Sequence, residues 1–301
     1  MANGSYKTPD AMEMAVKAAA KASSQDTNQA LLDYYHDRFL SRIFSEDDPR
    51  FILKGGRGML ARLVDVRRTR DTDIFYSGDD IGEAVDELVR LGGKDLDDFL
   101  TYRLESLEVI VEEQGYRSGR RLRFTPVLGG TKEIRPHVVI DLVVDPAVVV
   151  SPDVVNPVNS LVVKGIDTPC YLVFPVANAV ADKVVATMLP CPNGSRSSRV
   201  KDLVDLVRYV LSEELAGDYL RGAVCSEFRL RGAAIPDAFS IPDAWRKELL
   251  KGYRKLAKEA RLPKECLDVE YARDVVARCL DPALSGDCVG CVWSPERLRW
   301  E

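Results

Sequence analysis

Two short stretches constrain this chain more than any others. The first runs Phe51, Ile52, Leu53, Lys54, Gly55, Gly56, Arg57, and the second runs Arg67, Arg68, Thr69, Arg70, Asp71, Thr72, Asp73, Ile74, Phe75. The apolar run at 50–54 predicts a strand that feeds the glycine pair. Residues 58–64 predict a short helix, and residues 71–76 a second strand. Aspartates at i and i+2 of a strand lie on one face, because successive side chains alternate sides. Such a pair suits a shared divalent cation, since Mg²⁺ is commonly bound by one or two carboxylates plus substrate phosphates. Gly55 and Gly56 let backbone N–H groups come close to those phosphates. The competing reading of Asp71 and Asp73 is an acidic strand end at the surface. The glycine pair upstream favours the metal site, because it supplies the context that a bare Asp-x-Asp lacks.

Composition narrows the class. A chain of 301 residues with 46% hydrophobic and 30% charged residues has the make-up of a soluble globular protein of one large or two modest domains. No apolar run reaches membrane-span length, and the first residues lack a signal-peptide core, so no membrane association is expected. Seven cysteines without framework spacing favour reduced thiols and a cytoplasmic setting. The net charge of −5 argues against a protein that coats nucleic acid generally, but leaves room for a local RNA patch.

Hydrophobic period predicts helices across residues 9–45, interrupted at 23–28, and again at 81–91. Between 107 and 144 the pattern turns to strands, at 107–113, 121–127 and 136–144, with a Pro/Asn-rich connection at 151–160. Helices are expected at 175–189 and 199–212. Helical character then continues to residue 271, broken at Pro236, Pro242 and Pro263, and the tail has little period. This is an α/β (α+β) chain: a helix-flanked mixed sheet over residues 1–165 and a helical lobe over 166–301.

Further charged positions each carry two readings. Asp141 lies inside an apolar strand, where a lone carboxylate is costly unless paired or bound to metal. It is either a third metal ligand or general base, or a solvent-facing residue of an edge strand. Lys183 falls on the apolar stripe of its helix, so it either snorkels outward or meets a buried anion such as a triphosphate. Lys201, Asp202, Asp205 and Arg208 share one face of the next helix, and period alone makes that face solvated and ion-paired. Residues 246–264 are rich in Lys and Arg around Tyr253, a solvated helix or an RNA-backbone patch. Cys288 and Cys291 resemble half a zinc knuckle, but no second pair accompanies them.

Together these motifs resemble the AbiEii/AbiGii nucleotidyltransferase toxins, including the MenT group. Lys54, Gly55, Gly56 and Arg57, followed by Arg68 to Ile74, are similar to the family's first motif. Ala181, Asp182 and Lys183 resemble its lysine motif. Arg199 to Leu206, with Lys201, Asp202 and Asp205, resembles its Lys-Asp-x-x-Asp-Leu motif. The resemblance spans residues 50–210. It implies a DNA polymerase β-like catalytic lobe, an NTP, Mg²⁺ and a toxin–antitoxin setting with a cognate antitoxin, and it points to the 3′ acceptor end of tRNA as the acceptor. It also implies roles for Lys183 and Asp205, and a modification site at Thr69, where some relatives carry a serine that a kinase-like antitoxin phosphorylates.

In the two-metal scheme Asp71 and Asp73 serve both ions and Asp141 the nucleophile side. Gly55, Gly56 and Arg57 meet the phosphates. Lys183 neutralises triphosphate charge, Asp205 orients it, and Lys201, Asp202 and Thr69 complete the substrate site. The alternatives are a small-molecule nucleotidyltransferase of the antibiotic-modifying kind and a non-catalytic RNA-binding module. Intact Asp71, Asp73 and Lys183 count against the second.

Overall fold

In a computed structural model, which describes residues 6–110, 118–135, 137–145, 150–190, 197–246 and 249–301, side-chain caps fix the first two helices. Helix α1 (Pro9–Ala22) starts with Thr8 accepting from the Ala11 N–H and with proline in its first turn. Helix α2 (Thr27–Phe44) starts with Asp26 accepting from the Gln29 N–H. Both caps satisfy backbone donors that the first helical turn leaves open. There follow β1 (Phe51–Lys54), α3 (Gly55–Arg62), β2 (Asp71–Tyr76), α4 (Ile81–Gly92), β3 (Leu100–Ile110), β4 (Ser118–Leu128), β5 (Lys132–Glu133), β6 (Val138–Val144), β7 (Asp153–Val155) and β8 (Tyr171–Val173).

These strands form one eight-stranded mixed sheet in the order β3-β4-β6-β2-β1-β8-β7, with β5 on β4. The β2–β6 and β1–β8 pairs are parallel and the others antiparallel. One face is apolar: Ile74, Tyr76, Leu122, Phe124, Ile140 and Leu142 join Phe39 and Ile43 of α2 and Leu88 of α4 in a single core. Strand β6 shows the alternation directly, with residues 138, 140, 142 and 144 buried and 139, 141 and 143 half-buried. The candidate residues Asp71, Asp73 and Asp141 stand on that second face.

The chain divides into two compact units, Met1–Val64 with Thr69–Val173, and Asp65–Arg68 with Phe174–Glu301. The first unit runs past the expected boundary at 165 because β8 pairs with β1 through Leu53 and Val173. The second unit holds α5 (Val176–Met188), α6 (Val200–Ser212), β9 (Leu215–Ala216), α7 (Gly217–Leu230), α8 (Leu250–Glu259), α9 (Val269–Ser285), β10 (Val292–Ser294) and β11 (Arg299–Trp300). Its tail is ordered by tryptophan: Trp293 is buried and donates to the Val210 carbonyl at 2.9 Å, and Trp300 donates to the Cys279 carbonyl at 3.1 Å. Among the described residues no helix is long and apolar enough to cross a membrane.

The expected strand at 107–113 begins seven residues earlier, at Leu100, and its residues 111–113 lie outside the described residues. Exposed Thr101, Arg103 and Glu105 alternate with the buried side chains there and diluted the apolar signal. A buried ionic cluster that no local pattern signals lies in the same unit. Arg38 reaches Asp98 at 2.8 Å and Arg42 reaches it at 2.7 Å. Burial pushes the Asp98 carboxyl up, but the two arginines outweigh it and hold it below the usual carboxylate range.

Candidate active site

The apolar strand β1 delivers the chain into α3 at Gly55, whose φ is +62°. That conformation suits glycine, and space also demands it: a Cβ at Gly55 falls 1.9 Å from Oδ2 of Asp73. Asp73 thus rests against the bare backbone at the start of α3. A Cβ at Gly56 lies 3.0 Å from the Thr69 Cβ, so Thr69 packs on the second glycine. Thr69 also directs its hydroxyl to the Asp71 carbonyl at 3.3 Å. The two glycines, Thr69, Asp71 and Asp73 therefore form one neighbourhood. The helix begins at Gly55, three residues before its expected start at 58.

Strand register carries the charge across the sheet. Lys54 pairs with Asp73, Asp73 with Asp141, Asp141 with Arg121, and Arg121 with Glu108. Residues directly opposite one another point to the same side of a sheet, so these five form one row. Asp71 stands in the next row of the same face, two residues along β2. Asp141 is not on an edge strand, because β6 lies between β4 and β2. Arg121 donates to both oxygens of the Asp141 carboxylate, from Nε at 2.7 Å and Nη2 at 2.6 Å. Asp71 is 4.0 Å from the same guanidinium, with its side chain 49% exposed.

Thr72, between the two aspartates, points into the core. Its Oγ1 is 2.8 Å from Nδ1 of the buried His36. Burial, with Arg57 nearby, pushes the His36 imidazole well below its ordinary value, so the ring is neutral at pH 7. The bond ties β2 to α2 directly behind the carboxylates.

Among the described residues no three Asp, Glu, His or Cys side chains close into a ready-made cage. Asp71 and Asp73 alone meet the demand of a hard cation that draws its other ligands from water and substrate phosphates. The space left by the missing Gly55 side chain holds Asp73 beside the helix start. The pair fits a divalent metal. Arg57, expected at the phosphates, is buried and reaches Asp33 at 3.1 Å.

In the second unit α5 and α6 bring Lys183, Asp202 and Asp205 together. Lys183 Nζ is 2.6 Å from Asp205 and 3.3 Å from Asp202. Arg67, from the segment 65–68 that belongs to this unit, reaches Asp205 at 2.7 Å, and Arg199 reaches Asp202 at 2.6 Å. Period alone put Asp202 and Asp205 on a solvated face, but both are 1% exposed. The apolar stripe of α6 extends around them, and buried Lys183, mostly buried Arg67 and half-exposed Arg199 compensate their charge. Burial pulls the Lys183 ammonium down, yet Asp205 and Asp202 outweigh it and raise it above the ordinary lysine value. For Asp205, burial pushes the carboxyl up and Lys183 and Arg67 bring it below the usual range. Two of the protein's own carboxylates therefore meet Lys183. Lys201 is exposed, and Arg208 donates to the Ala260 carbonyl at 2.6 Å, closing the end of α8.

Helix α8 carries Lys251, Arg254, Lys255 and Lys258 exposed, with Tyr253 and Ala257 buried beneath them. Tyr253 donates to the Cys266 carbonyl at 2.6 Å and so anchors the helix from inside. The positions 247 and 248 of the expected basic run lie outside the described residues.

Arg121 and Arg67, which contact the candidate residues Asp141 and Asp205, are not among the expected site residues. Arg121 had a signal, an arginine in the strand paired with Asp141, but register is needed to read it. Arg67 had only its place in a basic run.

A mixed sheet presenting an Asp-x-Asp pair against a glycine-led helix, together with a helical unit that holds a buried lysine–carboxylate cluster, defines a nucleotidyltransferase. Residues 38–268 match the family described as "Nucleotidyl transferase AbiEii toxin, Type IV TA system", and the chain belongs to that family. The fold is similar to that of MenT4, the nucleotidyltransferase toxin Rv2826c from Mycobacterium tuberculosis H37Rv, with 15% identity and a TM-score of 0.50 over 96% of this chain and 99% of that one. It also matches JHP933 from Helicobacter pylori, at 13% identity and a TM-score of 0.44 over 86% and 94%. No curated protein matches the sequence.

Proposed function

We propose that this protein is the toxin of a toxin–antitoxin pair and transfers a nucleoside monophosphate from an NTP to RNA, with the 3′ acceptor end of tRNA as acceptor, blocking translation. The observation that carries the chemistry is the seating of Asp73 against Gly55, with Asp71 on the same sheet face. In the transfer, the acceptor hydroxyl oxygen bonds to the α-phosphorus as the bond to the β-phosphate oxygen breaks. Pyrophosphate leaves, and the hydroxyl proton passes to water. Asp71 and Asp73 are the residues that would hold divalent metal, with Mg²⁺ our assignment. Bound there, the metal lowers the barrier to hydroxyl attack and neutralises charge on the departing pyrophosphate.

The protein's own groups do the positioning. Gly55 and Gly56 expose backbone N–H groups at the start of α3, where the helix dipole favours anions. In the second unit Lys183 and Arg67 converge on Asp205, and we assign Lys183 to the triphosphate charge with Asp205 orienting it. The test is incubation with each labelled NTP and total RNA, followed by gel identification of the labelled species. Label on an RNA supports the reading. Label only on a small molecule favours the antibiotic-type alternative.

Two further results are expected. If α8 grips RNA backbone, neutralising Lys251, Arg254, Lys255 and Lys258 weakens RNA binding. It also lowers the slope of log affinity against log salt by about 0.7 for each single-strand phosphate that is no longer neutralised. Filter binding across a salt series measures this, and an unchanged slope assigns α8 to a merely solvated face. Thr69 is the second case. Glutamate there brings a carboxylate beside Gly56 and Asp71, where it competes for metal and repels triphosphate. Thr69→Glu is expected to lose about a hundredfold in transfer rate, while Thr69→Ser stays near wild type. Phosphorylation of Thr69 by a kinase-like antitoxin would act the same way, and mass spectrometry of co-expressed protein tests for it.

A further inference from the structure

The row of charge on the sheet face does not stop at the carboxylates. Its next member, Arg121, stands opposite Asp141 on β4, and its side chain remains 42% exposed. Asp141 takes one edge of the guanidinium, Nε and Nη2, and Nη2 also lies 4.0 Å from Asp71. Nη1, on the opposite edge, makes no hydrogen bond to a described residue.

An arginine in this place has a cost that needs a return. Its charge stands close to a carboxylate assigned to metal, and it occupies the carboxylate otherwise best placed as a third ligand. Guanidinium is a planar fork that matches phosphate oxygens, and it stays charged at all working pH values. A bidentate carboxylate fixes the direction of such a fork in advance, so less freedom is lost when an anion arrives. An anion bound at Asp71 through a metal would lie within reach of that fixed group.

Resting on the assignment of metal to Asp71 and Asp73, we propose that Arg121 is a substrate contact that binds a phosphate of the NTP, and that Asp141 is its anchor in place of a third metal ligand. Asp141 is then a positioning residue that acts through Arg121. Together they complete a nucleotide site whose metal is held by two carboxylates alone.

The experiment uses the full-length protein and its Arg121→Ala, Arg121→Lys, Asp141→Asn and Asp71→Ala variants, each checked for fold by circular dichroism. Mn²⁺ affinity is read by electron paramagnetic resonance without nucleotide. Affinity for α,β-methylene NTPs is read by calorimetry with Mg²⁺, and affinity for RNA by filter binding. Arg121→Ala and Asp141→Asn are expected to weaken nucleotide binding about tenfold to a hundredfold, the loss typical of a charge-assisted contact, while Mn²⁺ affinity stays within about threefold of wild type. Arg121→Lys recovers part of the loss, since it keeps the charge without the fork. Loss of Mn²⁺ in Asp141→Asn as complete as in Asp71→Ala overturns the proposal and makes Asp141 a ligand. Unchanged nucleotide affinity in Arg121→Ala overturns it too, as does a loss confined to RNA. Mn²⁺ retained at full affinity by Asp71→Ala defeats the underlying metal assignment separately.

Discussion

Gly55→Ala is expected to suppress transfer nearly as far as Asp73→Ala, although it removes no functional group. The added Cβ falls 1.9 Å from the Asp73 carboxylate oxygen, so either the carboxylate or the start of α3 must move. The left-handed backbone at Gly55 adds about 1–2 kcal/mol of strain for any L side chain. A displacement of about 1 Å in a positioned group costs on the order of a hundredfold in rate, so the expected loss is at least that large. Gly56→Ala is the internal comparison. Its Cβ comes to 3.0 Å from the Thr69 Cβ, a contact that a local shift of a few tenths of an ångström relieves, and most activity is expected to be retained. Transfer rates of the three variants, with thermal unfolding as control, check this. A Gly55→Ala enzyme at wild-type rate would remove the reason for seating Asp73 at the glycine turn.

Lys183→Ala is expected to damage the second unit as well as the reaction. Removing one member of a buried charge cluster costs about 3–5 kcal/mol, because the remaining carboxylates lose compensation. Arg67 still faces Asp205 and Arg199 still faces Asp202, which puts the expectation at the lower end, about 3 kcal/mol. Removing Asp202 as well leaves Asp205 paired with Arg67 and only the half-exposed Arg199 without a carboxylate, so Lys183→Met with Asp202→Leu is expected to recover most of the stability. Transfer separates the roles. If Lys183 serves the nucleotide, the double variant is stable and inactive. A stable double variant with near wild-type transfer would make the cluster purely structural.

The legible parts of the molecule are those where local chemistry and tertiary structure agree. The strand–glycine–helix–strand unit from Phe51 to Tyr76 was readable because Gly55 and Gly56 and the alternation of Asp71 and Asp73 each have a local physical meaning. The first two helices were readable from period and from the break between them. Asp202 and Asp205 were misread because a helical wheel treats a carboxylate as solvent-seeking, whereas here Lys183, supplied by another helix, compensates them. Arg57 is a related case. Its place beside the glycines suggested phosphates, but the helical turn carries it inward to Asp33. Arg121 and His36 could not be chosen from sequence, since the first depends on strand register and the second on which helix crosses behind Thr72. The C-terminal strands are only two or three residues long and fall below any periodic signal; Trp293 and Trp300 order them through hydrogen bonds to residues far away along the chain.

The most direct test of the central claim compares α-labelled with γ-labelled NTP on RNA, for wild-type protein with Mg²⁺, with EDTA, and for Asp71→Ala and Asp73→Ala. Nucleotidyl transfer at the Asp71–Asp73 pair requires the α-label on RNA and the γ-label in released pyrophosphate. EDTA and either substitution should remove the α-label while the variants keep their folded far-ultraviolet spectrum. A γ-label on RNA, or α-label transferred at the wild-type rate by either variant, would contradict it.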